Sequence, residues 1–134
     1  MRLLLDSSAC IAVMRDRPKG SRRLSESWSR SETALSSVVL AELEVGAHLS
    51  KHPQQTREAL DSLLENLTIL PFDRAAAEVY GFLRASLQSA GRQIGPLDML
   101  IAAHALSLDL PLLTGNVSEF GRVPGLRVLG LDDA

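Results

Sequence analysis

The sequence predicts an α/β domain built on a parallel β-sheet of about five strands, with helices on both faces. Short apolar runs without polar alternation recur at Leu3-Leu4-Leu5, Thr33-Ala34-Leu35-Ser36, 67–71, Leu112-Leu113-Thr114 and 126–129. Unalternating strands of this kind are those buried on both faces. Segments with helical apolar spacing separate them, the alternation that builds parallel sheets. The chain has 134 residues, 46% of them hydrophobic and 22% charged, enough for one proper core. No internal repeat, linker or low-complexity stretch divides it, so residues 1–134 are read as one domain.

The first strand, 3–5, runs into Asp6-Ser7-Ser8, where a serine is expected to cap a helix over 9–14. Pro18 to Gly20 breaks the chain, and 21–30 is a polar helix or loop anchored by Leu24 and Trp28. After the second strand, 33–36, Ser37 is expected to cap a helix over 38–49. A helix over 54–66 presents Leu60, Leu63 and Leu64 as its buried stripe, and the third strand, 67–71, follows. Asp73 caps a long helix to about Ala90. The loop 91–95 leads to Gly95-Pro96, a sound helix start because proline at the first helical position has no N–H to leave unpaired. The fourth and fifth strands are 112–114 and 126–129.

Composition excludes several classes. One cysteine, Cys10, rules out an internal disulfide framework and a cysteine-based zinc site. The apolar run before Asp6 is only the three residues Leu3-Leu4-Leu5, too short for a signal peptide, and no later run reaches membrane length, so the cytoplasm is the expected location. Net charge is −2, so any nucleic acid must be gripped by a local patch rather than an overall basic field. Arg15, Arg17, Lys19, Arg22, Arg23 and Arg30 form such a cluster, opposed only by Asp16 and Glu26. A solvated helix face is the commoner explanation of a basic run like this.

The helix from Pro96 carries the anomaly. From Leu97 to Leu108 only Asp98, His104 and Ser107 interrupt apolar residues, the pattern of a helix buried on most faces. Asp98 shares its face with Ala102 and Ala105, so its carboxylate should point into the protein or a cleft. There it must be paired, protonated or bound to a cation. The first helical turn also favours Asp through the dipole and the free N–H groups, the structural alternative for Asp98. Glu42 sits in the middle of an apolar face made by Val38, Val39, Val45, Gly46 and Leu49, with a buried arginine pair as the structural alternative. Glu44 is assigned to solvent. In open parallel sheets ligands bind beyond the carboxyl ends of the strands, which selects Asp6 after the first strand, and Asn116 and Glu119 after the fourth. Three acids from three elements repel one another unless a divalent cation joins them. Oxygen ligands without Cys or paired His favour Mg²⁺, with Mn²⁺ as a substitute, over zinc. Phosphoryl transfer or hydrolysis is the chemistry that follows.

Four motifs then carry a family resemblance: Leu4-Leu5-Asp6-Ser7-Ser8; Ser36-Ser37-Val38-Val39-Leu40-Ala41-Glu42-Leu43-Glu44-Val45-Gly46-Ala47; Gly95-Pro96-Leu97-Asp98 with Ile101-Ala102-Ala103-His104-Ala105; and Thr114-Gly115-Asn116-Val117-Ser118-Glu119-Phe120 with Val123-Pro124-Gly125-Leu126. In this order, over residues 3 to about 129, they resemble a PIN-domain ribonuclease of the VapC toxin family. The resemblance implies a three-layer fold and a Mg²⁺-dependent endoribonuclease, the toxin of a type II toxin–antitoxin pair, homodimeric and neutralised by a VapB-type antitoxin. The family's acidic positions fall on Asp6, Glu42 and Asp98. Ser8 matches a residue that orients the cluster, and Thr114 the hydroxyl at the strand end. Many members have Asp where Asn116 stands, a departure that bears on a second metal; Asn116 can still hydrogen-bond a metal water, and Glu119 adds charge.

On this reading Asp6 and Asp98 hold Mg²⁺ directly, Glu42 directly or through water, and water attacks an RNA phosphodiester in line to leave 5′-phosphate ends. His104 lies on the side of Leu97, Leu100, Ile101 and Leu108, away from Asp98, and is read as a satisfied core histidine. The RNA backbone is assigned to Arg15, Arg22, Arg23 and Arg92. Few aromatics are available for base stacking, so recognition should rest on RNA shape, with a tRNA stem-loop as in family members resembling this chain. The antitoxin is expected to insert a cationic side chain among the carboxylates. Two alternatives stand beside this reading. One is a catalytically inactive PIN-like binding module whose acids only pair with arginines. The other is a receiver-type signalling domain, which needs paired acids after the first strand and a late lysine, whereas no lysine follows Lys51.

Overall fold

The computed structural model describes residues 2–16 and 32–131. Five strands, β1 (Leu3–Leu5), β2 (Thr33–Ser36), β3 (Thr68–Leu70), β4 (Leu112–Thr114) and β5 (Val128–Gly130), form one parallel sheet in the order β3-β2-β1-β4-β5. Every residue of β1, β2 and β4 is buried. Side chains of consecutive strand residues point to opposite faces, so both faces of these three strands are covered, as the unalternating sequence requires. The edge strands β3 and β5 are only partly buried.

The helices are α1 (Ser7–Arg15), α2 (Ser37–Leu49), α3 (Pro53–Leu64), α4 (Arg74–Ser89), α5 (Pro96–Leu108) and the single turn α6 (Val117–Phe120). α1, α2 and α3 pack on one another, while α4 lies along α5. Small residues explain the second contact: Ala102, Ala103 and Ala105 are fully buried beside Met99 and Ile101, so α5 can approach its neighbours closely. Gly95-Pro96 starts this helix as the sequence indicates, and Asp109 closes it in the left-handed conformation at φ 53°. Arg127 donates to the Asp109 carbonyl, satisfying a helix-end acceptor.

Several local boundaries differ from the sequence reading, each for a hydrogen-bonding reason. Asp6, rather than a serine, caps α1, its Oδ1 accepting the Ala9 N–H. Ser36, rather than Ser37, caps α2; Ser37 is the first helical residue, and its Oγ accepts the Phe72 N–H across the sheet. Pro53 takes the first position of α3, which therefore starts a residue early and ends at Leu64. β5 starts two residues later than expected and ends one later, pairing Val128 with Leu112. The turn α6 was not anticipated, four residues being too short to show a period. Asp73 caps α4 as expected. The break at 18–20 and the polar stretch 21–30 lie outside the described residues.

The strand order decides where a site can form. The chain winds outward from β1 through β2 to β3, then crosses back to β4 on the other side of β1. The crevice beyond the carboxyl ends of β1 and β4 is therefore the topological switch point, where open α/β sheets bind ligands.

Candidate active site

Asp6 leaves β1 at that switch point and is 4% exposed. A nearly buried carboxylate must be compensated by donors, and three reach it. Ser8 Oγ donates to Oδ1 at 2.7 Å, the Ala9 N–H donates to the same oxygen at 2.9 Å, and Thr114 Oγ1 donates to Oδ2 at 2.5 Å. Both hydroxyls are themselves fixed from the β4 side: Gly115 N–H donates to Ser8 Oγ, and Asn116 N–H donates to Thr114 Oγ1, each at 2.9 Å. Ser8 and Thr114 thus both donate to Asp6, and the β1–β4 pairing is what brings Asp6 and Thr114, over a hundred positions apart, together. A carboxylate offers about four acceptor directions, so Asp6 keeps one on Oδ2 for a further partner.

Asp98 stands in the first turn of α5, half-buried. Its carboxyl is pushed up to about 7, first by burial, then by a hydrogen bond with Glu119 and that residue's charge, then by the charges of Glu42 and Asp6. Glu119 is anchored in turn: the Gly95 N–H donates to its Oε1 at 3.2 Å, and Asn116 Nδ2 donates to its Oε2 at 2.5 Å. The structure therefore places Glu119 against Asp98, and Asn116 against Glu119.

Glu42, half-buried on α2, accepts a hydrogen bond from Ser7 Oγ at 2.8 Å. Its surroundings differ from the sequence reading. The core stripe of α2 is Val39, Leu43 and Ala47, whereas Val45 is 58% and Leu49 79% exposed. Glu42 is at the border between core and surface and faces a groove of about 540 Å³ walled by Ile11, Met14, Leu43 and Ala59, with Arg15 at its rim. Glu44, assigned to solvent, is held in a two-pronged pair with Arg57 of α3 at 2.7 and 2.9 Å. Ser7 and the Gly95 amide were missed from the sequence, because a polar residue at a helix start looks the same whether it caps or reaches a distant acid.

Three acids, each from a different element, thus act on Asp98, and none of Asp6, Glu42, Asp98 or Glu119 is paired with an arginine or lysine among the described residues. As placed, no three acidic, His or Cys side chains among the described residues converge on one point. What fits a hard divalent cation is the chemistry of the donor set: oxygen donors alone, an Asp98 carboxyl raised first by burial and then by its acidic neighbours, and an open acceptor direction on Asp6. Cys10 is no alternative ligand, since full burial pushes its thiol far up. Arg92 is exposed in the loop before α5, and Arg15 is exposed at the end of α1. Arg22 and Arg23 lie outside the described residues. No helix among the described residues is long and apolar enough to cross a membrane.

A doubly wound parallel sheet with an acidic cluster at its switch point, lacking a late lysine, defines a PIN-type nuclease domain rather than a receiver. The PIN domain family model matches residues 3–126, and the chain belongs to the VapC branch of that family. It is 36% identical over 127 residues to the tRNA(fMet)-specific endonuclease VapC of Shigella flexneri, covering 95% of this chain and 96% of that protein. It is 37% identical over 127 residues to ribonuclease VapC2 of Rickettsia felis, covering 94% and 95%. Among solved structures it is similar to a chain of VapBC2 from Rickettsia felis bound to a promoter DNA fragment, with TM-score 0.86, 34% identity and coverage of 98% of this chain and 100% of that one. DNA-bound VapBC from Salmonella typhimurium gives TM-score 0.88 at 33% identity, covering 97% and 98%.

Proposed function

We propose that the protein is the toxin of a type II toxin–antitoxin pair, a Mg²⁺-dependent endoribonuclease that hydrolyses RNA phosphodiesters in the cytoplasm. The observation that carries this is Asp98 hydrogen-bonded to Glu119 and within electrostatic reach of Glu42 and Asp6 beside the crevice beyond β1 and β4, with no cationic partner for any of the four among the described residues. Asp6, Glu42 and Asp98 would hold the cation, with Mn²⁺ a working substitute. When bound, it supplies positive charge to phosphate oxygens and acidifies water. Ser8, Thr114 and the Ala9 amide keep Asp6 in one orientation, and Asn116 holds Glu119 beside Asp98. Losing such a partner typically costs about 10–100-fold in metal affinity.

Arg15, Arg22, Arg23 and Arg92 supply the contacts to the RNA backbone, which set position rather than sequence. The substrate class is tRNA, in keeping with the name of the Shigella flexneri relative. The partner is a VapB-type antitoxin, since solved relatives are VapBC complexes, and the toxin is a homodimer. An antitoxin cation placed among uncompensated carboxylates would remove their repulsion as a metal does.

RNA end-mapping tests the reading. The wild type with Mg²⁺ should leave 5′-phosphate and 3′-hydroxyl ends, and EDTA or Asp98→Asn should abolish cleavage. Cyclic-phosphate ends, or full cleavage in EDTA, would refute the assignment. Charge reversal at Arg22 and Arg23 should weaken RNA binding and flatten its salt dependence.

A further inference from the structure

The sequence marks His104 only as a core histidine, yet the structure gives it a specific bond. It is 1% exposed, and its Nδ1 lies 2.8 Å from Ser36 Oγ. Ser36 is the last residue of β2 and the cap of α2, its Oγ accepting the Val38 N–H at 3.1 Å. A hydroxyl that accepts from a backbone amide still has one proton to donate. Burial pushes the His104 imidazole pKa down, so the ring is neutral and Nδ1 can take that proton. A second contact closes a triangle around the same junction. The Phe72 ring meets the His104 ring edge-on at 5.4 Å, while the Phe72 N–H donates to Ser37 Oγ.

The spacing on either side of this bond is the same. Asp98 lies six residues before His104 on α5, and Glu42 lies six residues after Ser36 on α2. At the helical rise each acid is about 9 Å along its helix from the junction. We propose that His104 is a positioning residue for the carboxylate cluster: its bond to the α2 cap ties the helix bearing Asp98 to the helix bearing Glu42 and so sets the separation of the two acids. This rests on the reading of those acids as cation ligands. His104 touches neither substrate nor ion and acts through Ser36.

The test uses the full chain with Mn²⁺ as probe. Asn places its amide oxygen near the position of Nδ1, so His104→Asn keeps an acceptor for Ser36, whereas His104→Leu removes it. His104→Leu should weaken Mn²⁺ binding by calorimetry roughly 10-fold, the effect of losing an orienting partner, and His104→Asn should retain wild-type affinity. Ser36→Ala should resemble His104→Leu, and the double variant should be no worse than the weaker single one, because both remove one tie. Leu60→Ala, a cavity at a fully buried position of α3 that makes no hydrogen bond to Ser36 or His104, should lower the melting temperature but leave Mn²⁺ affinity unchanged. In the metal-free protein, amide exchange over the first turn of α2 should speed up in His104→Leu and stay slow in His104→Asn. Wild-type exchange and affinity in His104→Leu would overturn the proposal, as would an equal affinity loss in Leu60→Ala or fully additive effects in the double variant. If the wild type binds no Mn²⁺, the reading of the site fails, and the exchange data still decide whether the tie exists.

Discussion

Thr114→Val offers the sharpest test of how the site is held, because it removes a hydroxyl without changing shape. Thr114 is fully buried at the end of β4. Its Oγ1 donates to Asp6 Oδ2 and accepts the Asn116 N–H. A hydrogen bond to a charged group contributes about 1.5–3 kcal/mol, and an amide left without its acceptor in a half-buried position adds part of a desolvation cost. Together these give a loss of about 3 kcal/mol. For a chain of 134 residues, an unfolding entropy of about 2.1 cal/mol/K per residue converts this to a fall in melting temperature of roughly 10 °C. Thr114→Ser is the control: it keeps the hydroxyl and loses one buried methyl, which costs about 1 kcal/mol. Urea unfolding and calorimetry in EDTA should therefore rank wild type above Thr114→Ser, and Thr114→Ser above Thr114→Val by about 2 kcal/mol. Equal or greater stability of Thr114→Val than Thr114→Ser would show that the hydroxyl does not hold Asp6, and the account of the switch-point site would fall with it.

Three other outcomes follow from the same geometry. Asp98 has a folded-state carboxyl pKa of about 7 against an ordinary 3.8. Ionising it disfavours the folded state progressively as pH rises between those values, so metal-free Asp98→Asn should gain stability relative to wild type from pH 4 to pH 8. A difference that shrinks with pH would contradict the cause given. Because a cation needs the ionised carboxylate, Mn²⁺ binding at pH 6 should release a proton and tighten toward pH 8; calorimetry in buffers of different ionisation enthalpy would detect a pH-independent, proton-neutral binding that refutes this. At Gly115 a Cβ would stand 3.3 Å from Leu131 Cδ1 and 3.4 Å from Ser8 Oγ. The first is the end of a flexible side chain and the second is ordinary van der Waals contact, so Gly115→Ala should be accommodated by a small shift of Leu131 and leave Ser8 in place, with RNA cleavage and circular dichroism both as in the wild type; a loss of cleavage would mean that Ser8 cannot keep its place beside a Cβ.

Much of the fold was legible because it is written locally. Leu3-Leu4-Leu5 and Leu112-Leu113 carry no polar alternation, which is enough to identify doubly covered strands. Gly95-Pro96 and Asp73 are start signals that act within one turn. Asp98 was visible as a charge interrupting an apolar helix, and the four motifs together pointed to the PIN family that the comparisons bear out. Errors clustered where two neighbouring residues offer the same chemistry. Ser36 and Ser37 both carry a hydroxyl that can cap α2, as do Asp6, Ser7 and Ser8 an oxygen for α1, and only backbone conformation at the junction separates them.

By itself, then, the sequence determined which segments become the five strands and the longer helices, and that Asp98 interrupts an apolar helix, because periodicity and capping are interactions between near neighbours. Tertiary structure alone decided the order β3-β2-β1-β4-β5, and with it that Thr114 clasps Asp6, that Glu119 rather than a distant arginine meets Asp98, and that His104 meets Ser36. Those contacts join residues 21 to 108 positions apart. They depend on hydrogen-bond distances and angles that only the packed sheet supplies, since a hydrogen bond is worth little until both partners are held in place and removed from water.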